Sequence, residues 1–253
     1  MQLSKRLQAV EALTYGAKRL ADVGTDHGYI PIDLLLKHKI EYAIAMDVNQ
    51  GPLDRARSNM KLYNVQDRME TRLSDGLMAL EPYEADTVVI AGMGGPLTIR
   101  ILTASKETTE SITTFVLQPQ SEIPEVRRML IAEGFVIQKE DMVLEDGKYY
   151  PMMRVQKADV KKNLVQNWEE YEYQYGKYLI ESRNPVLSEF LNKEENTCEK
   201  IKQQLLQASG EHIQKRLEEI EKELVLIARA KDKMKQTARE YSDQTGDSRN
   251  DSK

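Results

Sequence analysis

A short acidic and glycine-rich segment, "ADVGTDHGYIPI" (residues 21–32), carries a dense group of residues that could do chemistry. Asp22, Gly24, Asp26 and Gly28 form the pattern D-x-G-x-D-x-G. A turn of this kind between a strand and a helix brings backbone N–H groups to the carboxyl end of the strand, where open α/β sheets bind nucleotide-like ligands. Dinucleotide-binding loops space their glycines as G-x-G-x-x-G. The pattern therefore predicts a nucleotide-like ligand and argues against NAD.

Two further acids follow predicted strands. Asp47 ends the second strand, where such sheets place an acid that accepts both ribose hydroxyls of a nucleotide. Asp75 ends the third strand and is followed by Gly76. A single acid of this kind is most simply a solvated strand end. Acids at the ends of three successive strands favour a ligand instead.

The fourth predicted strand ends in "AGMGGP" (91–96), which contains Gly92, Gly94 and Gly95. Glycines at this position allow a flat base to approach the backbone closely, because they have no side chain. A tight turn between a strand and a helix would need the same residues. The stretch "LQPQ" (117–120) closes the fifth strand and is predicted to line the same mouth.

The elements that position these residues alternate as short apolar runs and helical patterns up to about residue 157, which predicts βαβ units and a mostly parallel sheet. Strands are predicted at 19–24, 42–48, 69–75, 85–92 and 113–119, with helices at 30–39, 51–63, 95–105 and 122–133. Two more strands, within 135–158, join at Asp146-Gly147 and predict a final antiparallel hairpin, which makes seven strands.

Beyond residue 160 the residues become helix formers with heptad spacing. One apolar stripe comprises Leu187, Leu191, Cys198, Ile201, Leu205 and Ala208, and a second comprises Ile213, Leu217, Ile220, Leu224, Ile227 and Met234. With a turn near Gly210, the stripes predict an antiparallel coiled-coil hairpin, formed within one chain or between two. Trp168, Tyr171, Tyr175 and Leu179 predict a linking helix. The expected domains are 1–160, the helical arm 161–242 and a disordered tail 243–253.

Composition narrows the class of protein. The single cysteine excludes a disulfide framework and fits a reducing compartment. No run of about 20 apolar residues is present, and the first residues lack an apolar signal core. We expect a soluble, cytoplasmic protein that does not contact membranes. His27, His38 and His212 are dispersed, which argues against a metal site.

The loop resembles the acidic E/D-x-G-x-G-x-G loop of class I S-adenosylmethionine-dependent methyltransferases, with Asp26 in place of the middle glycine. Together, "DVGTDHGYIPI", "AMDVNQGPLDRA", "SDGL", "AGMGG" and "LQPQ" resemble the bacterial TrmK family, which methylates N1 of adenine 22 in the D-arm of tRNA. The motifs cover residues 1 to about 157, whereas the remainder is similar only in its coiled-coil character. The resemblance implies a class I methyltransferase-like Rossmann sheet, S-adenosyl-L-methionine and a tRNA substrate.

The resemblance also implies roles for individual residues. It assigns the methyl donor to Asp22, Gly24, Asp26, Gly28, Asp47, Asp75, Gly76 and Gly92. Gly94 and Gly95 would meet the target base. The formal net charge of −5 argues against binding of nucleic acid by bulk electrostatics. Local basic segments at 1–20 and 229–239 would then contact tRNA through Lys5, Arg6, Arg229 and Lys233, unless they are ordinary solvated helix faces.

The expected catalytic residues are Asp26, His27 and Tyr29. Adenine N1 already carries a lone pair, so positioning it in line with the methyl group supplies much of the acceleration. Asp26 or His27 would accept the excess proton, and Tyr29 would stack on the base. Capping of the following helix by Asp26, and simple packing of Tyr29, are the structural alternatives.

Two other functions remain open from the sequence. A nucleotide-dependent oxidoreductase would share the sheet, although the glycine spacing disfavours it. A non-catalytic scaffold would use the C-terminal helices for dimerisation. For the methyltransferase we expect a monomer or a weak homodimer.

Overall fold

The computed structural model describes residues 1–157, 167–207 and 210–246. It contains two compact units, residues 1–166 and 167–253. The predicted boundary at 160/161, Ala208 of the first stripe and the last seven residues of the predicted tail lie outside the described residues.

The first unit is built on a mixed sheet with the strand order β3-β2-β1-β4-β5-β7-β6. Its strands are β1 (Arg19–Val23), β2 (Tyr42–Asp47), β3 (Met69–Leu73), β4 (Thr87–Met93), β5 (Thr114–Pro119), β6 (Phe135–Glu145) and β7 (Lys148–Lys157). The first five pair in parallel, whereas β7 runs antiparallel to β5 and to β6. This confirms the predicted seven strands and the final hairpin.

Helices cover the sheet. The first precedes β1, and the others follow strands along the chain. They are α1 (Lys5–Ala12), α2 (Tyr29–Leu36), α3 (Gln50–Leu62), α4 (Gly95–Ala104), α5 (Lys106–Ser111) and α6 (Ile123–Ala132). The sequence prediction omitted α1 and α5. Ser4 caps α1, because its Oγ accepts a hydrogen bond from the Leu7 amide at 3.3 Å.

The central strands are buried because their residues are apolar almost throughout, as expected for parallel strands covered on both faces. In β1, all residues after Arg19 are buried. The chain leaves β1 for β2 on one side, and β4 pairs with β1 on the other. The carboxyl ends of β1 and β4 therefore form the topological switch point of the sheet, where open α/β sheets bind ligands.

The second unit contains α7 (Glu170–Tyr175), α8 (Lys177–Glu181), α9 (Pro185–Leu205) and α10 (Glu211–Gly246). The predicted linking helix is thus two short helices, and Gly176 separates them with a φ of +94° that favours glycine. Trp168 precedes α7. The helix α10 extends to Gly246 and includes the first four residues of the predicted disordered tail.

Helices α9 and α10 run antiparallel within one chain. Lys202 on α9 pairs with Glu221 on α10 at 3.0 Å, and Lys231 on α10 pairs with Glu195 on α9 at 2.5 Å. The residue numbers rise on one helix as they fall on the other, as an antiparallel hairpin requires. From the two predicted stripes, Leu187, Leu191, Cys198, Ile220 and Ile227 are buried, and the other described members are half-buried.

No helix in the described ranges is both long enough and apolar enough to cross a membrane.

We predict that a chain ending at Gln166 folds on its own, because every strand of the sheet lies before residue 158. Urea unfolding of this fragment, followed by circular dichroism, should show one cooperative transition. A broad transition without cooperativity would show that the sheet depends on the second unit.

Candidate functional site

A cavity of about 250 Å³ opens at the switch point of the sheet. The loop after β1, the start of α2, the end of β4 and the helix α1 all contribute to its wall. It is lined by Arg6, Leu7, Asp22, Gly24, Asp26, Tyr29, Ile30, Ala91, Gly92 and Gln120. Six of these ten residues, namely Arg6, Asp22, Gly24, Asp26, Tyr29 and Gly92, are among the site residues predicted from the sequence.

Asp22 is the buried acid of the cavity. Its relative exposure is 7 %, and one carboxylate oxygen accepts a hydrogen bond from Thr25 Oγ1 at 2.5 Å. Burial raises the pKa of Asp22, the hydrogen bond from Thr25 lowers it and the nearby charge of Asp47 raises it, and the three effects together give a pKa of about 6. An ionised Asp22 is therefore costly in the folded protein unless a cation faces it.

The backbone of the glycine loop is fixed to the neighbouring strand. The amides of Gly24 and Thr25 both donate to the carbonyl of Met46, at 2.8 and 2.9 Å. Gly28 precedes α2 with a φ of +66°, and a Cβ at this position would lie 2.9 Å from Met69 Cε. A side chain at Gly28 would therefore be strained in its backbone and crowded by its neighbours.

Asp26 is exposed and already paired. One oxygen of its carboxylate accepts hydrogen bonds from Nε and Nη2 of Arg55 on α3, at 2.9 and 2.7 Å. The same oxygen lies 3.6 Å from His27 Nε2. No side-chain bond from Asp26 caps α2, whose N-terminal cap is Gly28. Within the described contacts, the helix-capping alternative for Asp26 is therefore wrong.

His27 and Tyr29 stack on each other at the edge of the cavity. Their ring centroids are 4.9 Å apart and their planes differ by 3°. Asn59 on α3 donates to the carbonyl of His27 at 2.9 Å, which holds the loop in the unusual backbone conformation of His27, with a φ of +68°. Tyr29 lines the cavity, whereas His27 does not.

The other two strand-end acids lie on adjoining strands. Asp47 ends β2, is half-buried and accepts a hydrogen bond from the Asn49 amide at 2.7 Å. Asp75 follows β3, is exposed and pairs with Arg100 on α4 at 2.9 Å. Gly76 has a φ of +61°, and its Cβ would lie 2.9 Å from Ile101. Neither acid lines the cavity itself.

A β-bulge shapes the β4 side of the cavity. The pairing of β4 with β5 shifts between Ala91 and Met93, so Gly92 lies outside the ladder with a φ of +82°. Gly94 and Gly95 start α4 beyond the cavity. The Gly95 amide donates to the Ser121 carbonyl at 3.1 Å, and a Cβ on Gly95 would lie 2.5 Å from that oxygen.

Arg6 and Lys5 were both predicted to contact tRNA, but only Arg6 lines the cavity. Arg6 points to the cavity, where its Nη1 donates to Gln118 Oε1 at 2.9 Å. Lys5 instead donates to the carbonyl of Leu144 at 3.2 Å and does not line the cavity.

The remaining two candidates, Arg229 and Lys233, belong to α10 in the second unit. Arg229 borders a groove whose other lining residues are Glu170, Glu218, Glu221, Lys222, Val225 and Leu226. This groove carries both signs of charge.

Sequence reasoning missed the two arginines that pair with the exposed acids. Arg55 and Arg100 are 29 and 25 residues from their partners and belong to different elements. No spacing rule reveals such pairs. The prediction that "LQPQ" lines the mouth holds for Gln120, which borders the cavity.

Comparison with known proteins identifies relatives of this chain. The sequence model of the family described as "TrmK: tRNA (adenine(22)-N(1))-methyltransferase" matches residues 20–229. The tRNA (adenine(22)-N(1))-methyltransferase of Bacillus subtilis is 34% identical over 159 residues, which cover 63% of this chain and 67% of that protein.

Solved structures agree with this match along most of the chain. The B. subtilis M1A22 tRNA methyltransferase TrmK is similar with a TM-score of 0.78 and 30% identity, covering 90% of this chain and 98% of that one. Mycoplasma capricolum TrmK in complex with S-adenosyl-homocysteine has a TM-score of 0.73 and 28% identity, with coverage of 90% and 100%. Streptococcus pneumoniae Sp1610 bound to S-adenosyl-L-methionine has a TM-score of 0.77 and 28% identity, with coverage of 90% and 99%.

We predict that Asp22→Asn stabilises the ligand-free protein. The pKa of this carboxyl is raised from 3.8 to about 6, so the folded state binds more protons than the unfolded state between these values, and stability falls as pH rises through them. Because one pKa unit corresponds to about 1.4 kcal/mol, the ionised carboxylate costs about 3 kcal/mol above pH 6. The amide oxygen of Asn can still accept the hydrogen bond from Thr25, but the side chain carries no negative charge.

Urea unfolding at two pH values tests this prediction. Asp22→Asn should exceed the parent protein by about 2 to 3 kcal/mol at pH 7.5 and by only about 1 kcal/mol at pH 4.5. Asp67→Asn is the matched control, since Asp67 is an exposed acid in the turn before β3 and does not line the cavity. A gain that is the same at both pH values would show that the charge of Asp22 is not its cause.

Proposed function

This chain belongs to the tRNA (adenine(22)-N(1))-methyltransferase family, and we propose that the cavity at the ends of β1 and β4 is the place where its methyl donor meets the target adenine. The chain is a methyltransferase that uses S-adenosyl-L-methionine and acts on tRNA. Membership of this family favours methyl transfer over both the oxidoreductase and the scaffold alternatives. The observation that carries the proposal is the buried carboxylate of Asp22 at the switch point of a class I methyltransferase sheet.

The residues of the cavity fit a cationic, nucleoside-containing donor. S-Adenosyl-L-methionine supplies an electrophilic methyl group on a positively charged sulfur. In our proposal, Asp22 faces the positive charges of the donor, and Asp47 accepts its ribose hydroxyls from the next strand. Asp75 would hold the adenine amino group of the donor, in exchange for Arg100. Gly24 and Gly28 supply the turn that brings the backbone close, Gly92 lines the cavity, and Gly76 would lie beside the adenine of the donor, next to Asp75.

The ion pairs of Asp26 and Asp75 should oppose binding of the donor only weakly. Asp26 and Asp75 are held by exposed arginine pairs, with side-chain exposures of 62 % and 56 %. Exposed ion pairs of this kind contribute only about 0 to 1 kcal/mol. A ligand that takes over either carboxylate therefore displaces its arginine at small expense.

The target adenine would enter from the β4 side, past the bulge at Gly92 and the backbone of Gly94 and Gly95. N1 is a pairing-edge atom, so the base must leave its pair or stack before it reacts. Its lone pair is the nucleophile, and the protein acts by holding it in line with the methyl group. We propose that Tyr29 stacks on the base and that His27 or Asp26 takes up the excess proton.

The direct test of the function is methyl transfer from labelled S-adenosyl-L-methionine to unmodified tRNA, followed by identification of the product nucleoside. We expect N1-methyladenosine, lost when adenine 22 of the tRNA is replaced by another base. Transfer to a different position would overturn the assignment of the target.

We predict that Tyr29→Ala lowers the rate of methyl transfer at saturating substrates by about 10- to 100-fold, because base–aromatic stacking contributes about 1 to 3 kcal/mol. Tyr29→Phe, which keeps the ring, is the control and should retain most of the activity. Thermal unfolding of both variants separates this role from simple packing. An early melting Tyr29→Ala variant whose folded fraction turns over normally would make Tyr29 a packing residue.

The second unit is our proposed contact surface for the rest of the tRNA. We predict that charge reversal of Arg229 and Lys233 weakens tRNA binding and lowers its dependence on salt. With fewer phosphate contacts, fewer counterions are released on binding. Titration of labelled tRNA at several salt concentrations measures both effects. Lys231→Met serves as a comparison, because it removes a positive charge that is already paired with Glu195 and does not place two acids together. Identical salt slopes in all variants would remove this face from tRNA binding.

Two further expectations accompany the function. We infer a cytoplasmic location, because the proposed substrate is tRNA. A monomer or weak homodimer is supported by the pairing of α9 with α10 of the same chain.

A further inference from the structure

The side-chain amide of Gln120 lies at the mouth of the cavity without a hydrogen-bond partner among the described residues. Gln120 follows β5, lines the cavity and is exposed. The charged side chains of the cavity wall differ in this respect, because Arg6, Asp22 and Asp26 are each hydrogen-bonded to a neighbour. An amide offers two N–H donors and one carbonyl acceptor, so Gln120 keeps both kinds of group available for a ligand.

The backbone that carries this amide is fixed at the end of the sheet. The backbone N–H of Gln120 donates to the Met93 carbonyl at 2.8 Å, just beyond the bulge of β4. One residue later, the Ser121 carbonyl accepts a hydrogen bond from the Gly95 amide at 3.1 Å. These two bonds join the end of β5 to the turn between β4 and α4. The side chain of Gln120 therefore extends from a backbone that hydrogen bonds hold in place.

The amide group lies beside the glycine of the bulge. A Cβ built on Gly92 would be 3.8 Å from Gln120 Nε2, which is an ordinary contact distance. Gln120 thus borders the β4 side of the cavity, where we place the entry of the target adenine. Tyr29 lines the same cavity, and an aromatic ring that stacks on a base leaves the edges of the base uncovered. Gln120 is placed to meet one of these edges.

The reaction decides which edge of the adenine the protein can hold. N1 must stay free to attack the methyl group, so no hydrogen bond can occupy that atom of the Watson–Crick edge. The Hoogsteen edge carries an N–H donor at N6 and an acceptor at N7. A glutamine amide matches this pair with two hydrogen bonds, one in each direction. Arginine offers only donors and an ionised carboxylate only acceptors, so neither matches both atoms.

We propose that Gln120 binds the Hoogsteen edge of the target adenine, with Oε1 accepting from N6 and Nε2 donating to N7. The inference rests on the proposed function, since it places the adenine in this cavity. The contact with N7 covers a second lone pair of the base that would otherwise compete for the methyl group, so it directs transfer to N1. Methylation spreads positive charge from N1 to N6, so the contact with N6 strengthens in the transition state and raises the rate.

The test uses tRNA with one changed base at position 22. Purine riboside lacks the N6 amino group and 7-deazaadenosine lacks the N7 acceptor, while both keep N1. The ratio of kcat/KM for adenosine to kcat/KM for each analogue is measured with the full-length protein and with Gln120→Met, which has nearly the same volume without the amide. We expect Gln120→Met to lower both ratios by on the order of 10-fold. Comparison of ratios between variants cancels the intrinsic reactivity of each base and the folded fraction of each sample.

Two matched variants sharpen the result. Gln120→Glu keeps an acceptor for N6 but has no donor for N7. It should lower the ratio for 7-deazaadenosine at least as far as Gln120→Met does, and keep the ratio for purine riboside near that of the parent. Gln66→Met changes an exposed glutamine in the turn before β3, outside the cavity, and it should keep both parent ratios.

The contrary outcomes are distinct. Unchanged ratios in Gln120→Met overturn the contact, and if the KM for tRNA rises in the same variant, Gln120 belongs to another part of the tRNA site. Equal losses in both ratios for Gln120→Glu overturn the assignment of Oε1 to N6. Failure of the parent protein to methylate tRNA with adenosine at position 22 would instead remove the proposed function, and this is seen before any variant is made.

Discussion

The burial of one carboxylate is the constraint on which the candidate site depends. Asp22 lies in β1, which has parallel neighbours on both sides, so little solvent reaches its side chain. Thr25 donates a hydrogen bond to one oxygen, but a hydroxyl does not neutralise a charge. The pKa of Asp22 is therefore raised, because burial still disfavours the ionised carboxylate. A ligand that brings positive charge removes this cost on binding. The sheet thereby favours a cationic ligand at its switch point.

The other acids around the cleft act under different physical conditions. Asp26 and Asp75 are exposed and paired with Arg55 and Arg100, and exposed ion pairs of this kind contribute little to stability. Asp47 is half-buried and bonded to the Asn49 amide, which holds its carboxylate at the strand end. The acids of the three strand ends, Asp22, Asp47 and Asp75, therefore look alike in sequence but differ in solvent exposure.

Much of this arrangement follows from local sequence rules, and the failures have identifiable causes. The parallel strands were predictable, because apolar runs alternate with helical periods, and the glycine loop marked the ligand edge. Helix α1 was omitted because it is short and polar, and it is held by contacts such as Arg6 with Gln118, 112 residues away. The break between α7 and α8 depends on a single positive φ at Gly176. Contacts between distant residues are the part that spacing alone does not reveal.

The β4 side of the cleft shows why a glycine pattern needs a structure for its interpretation. A Cβ on Gly92 would meet Arg6 Nη1 at 3.6 Å and Gln120 Nε2 at 3.8 Å, which are ordinary contact distances. Space alone does not require glycine there. The φ of +82° does, because the bulge turns this residue out of the ladder and into a conformation that other residues rarely adopt. Gly95 is the opposite case, since a Cβ would strike the Ser121 carbonyl at 2.5 Å. One glycine thus allows the strand to bulge towards the cavity, and the other allows α4 to pack against the backbone after β5.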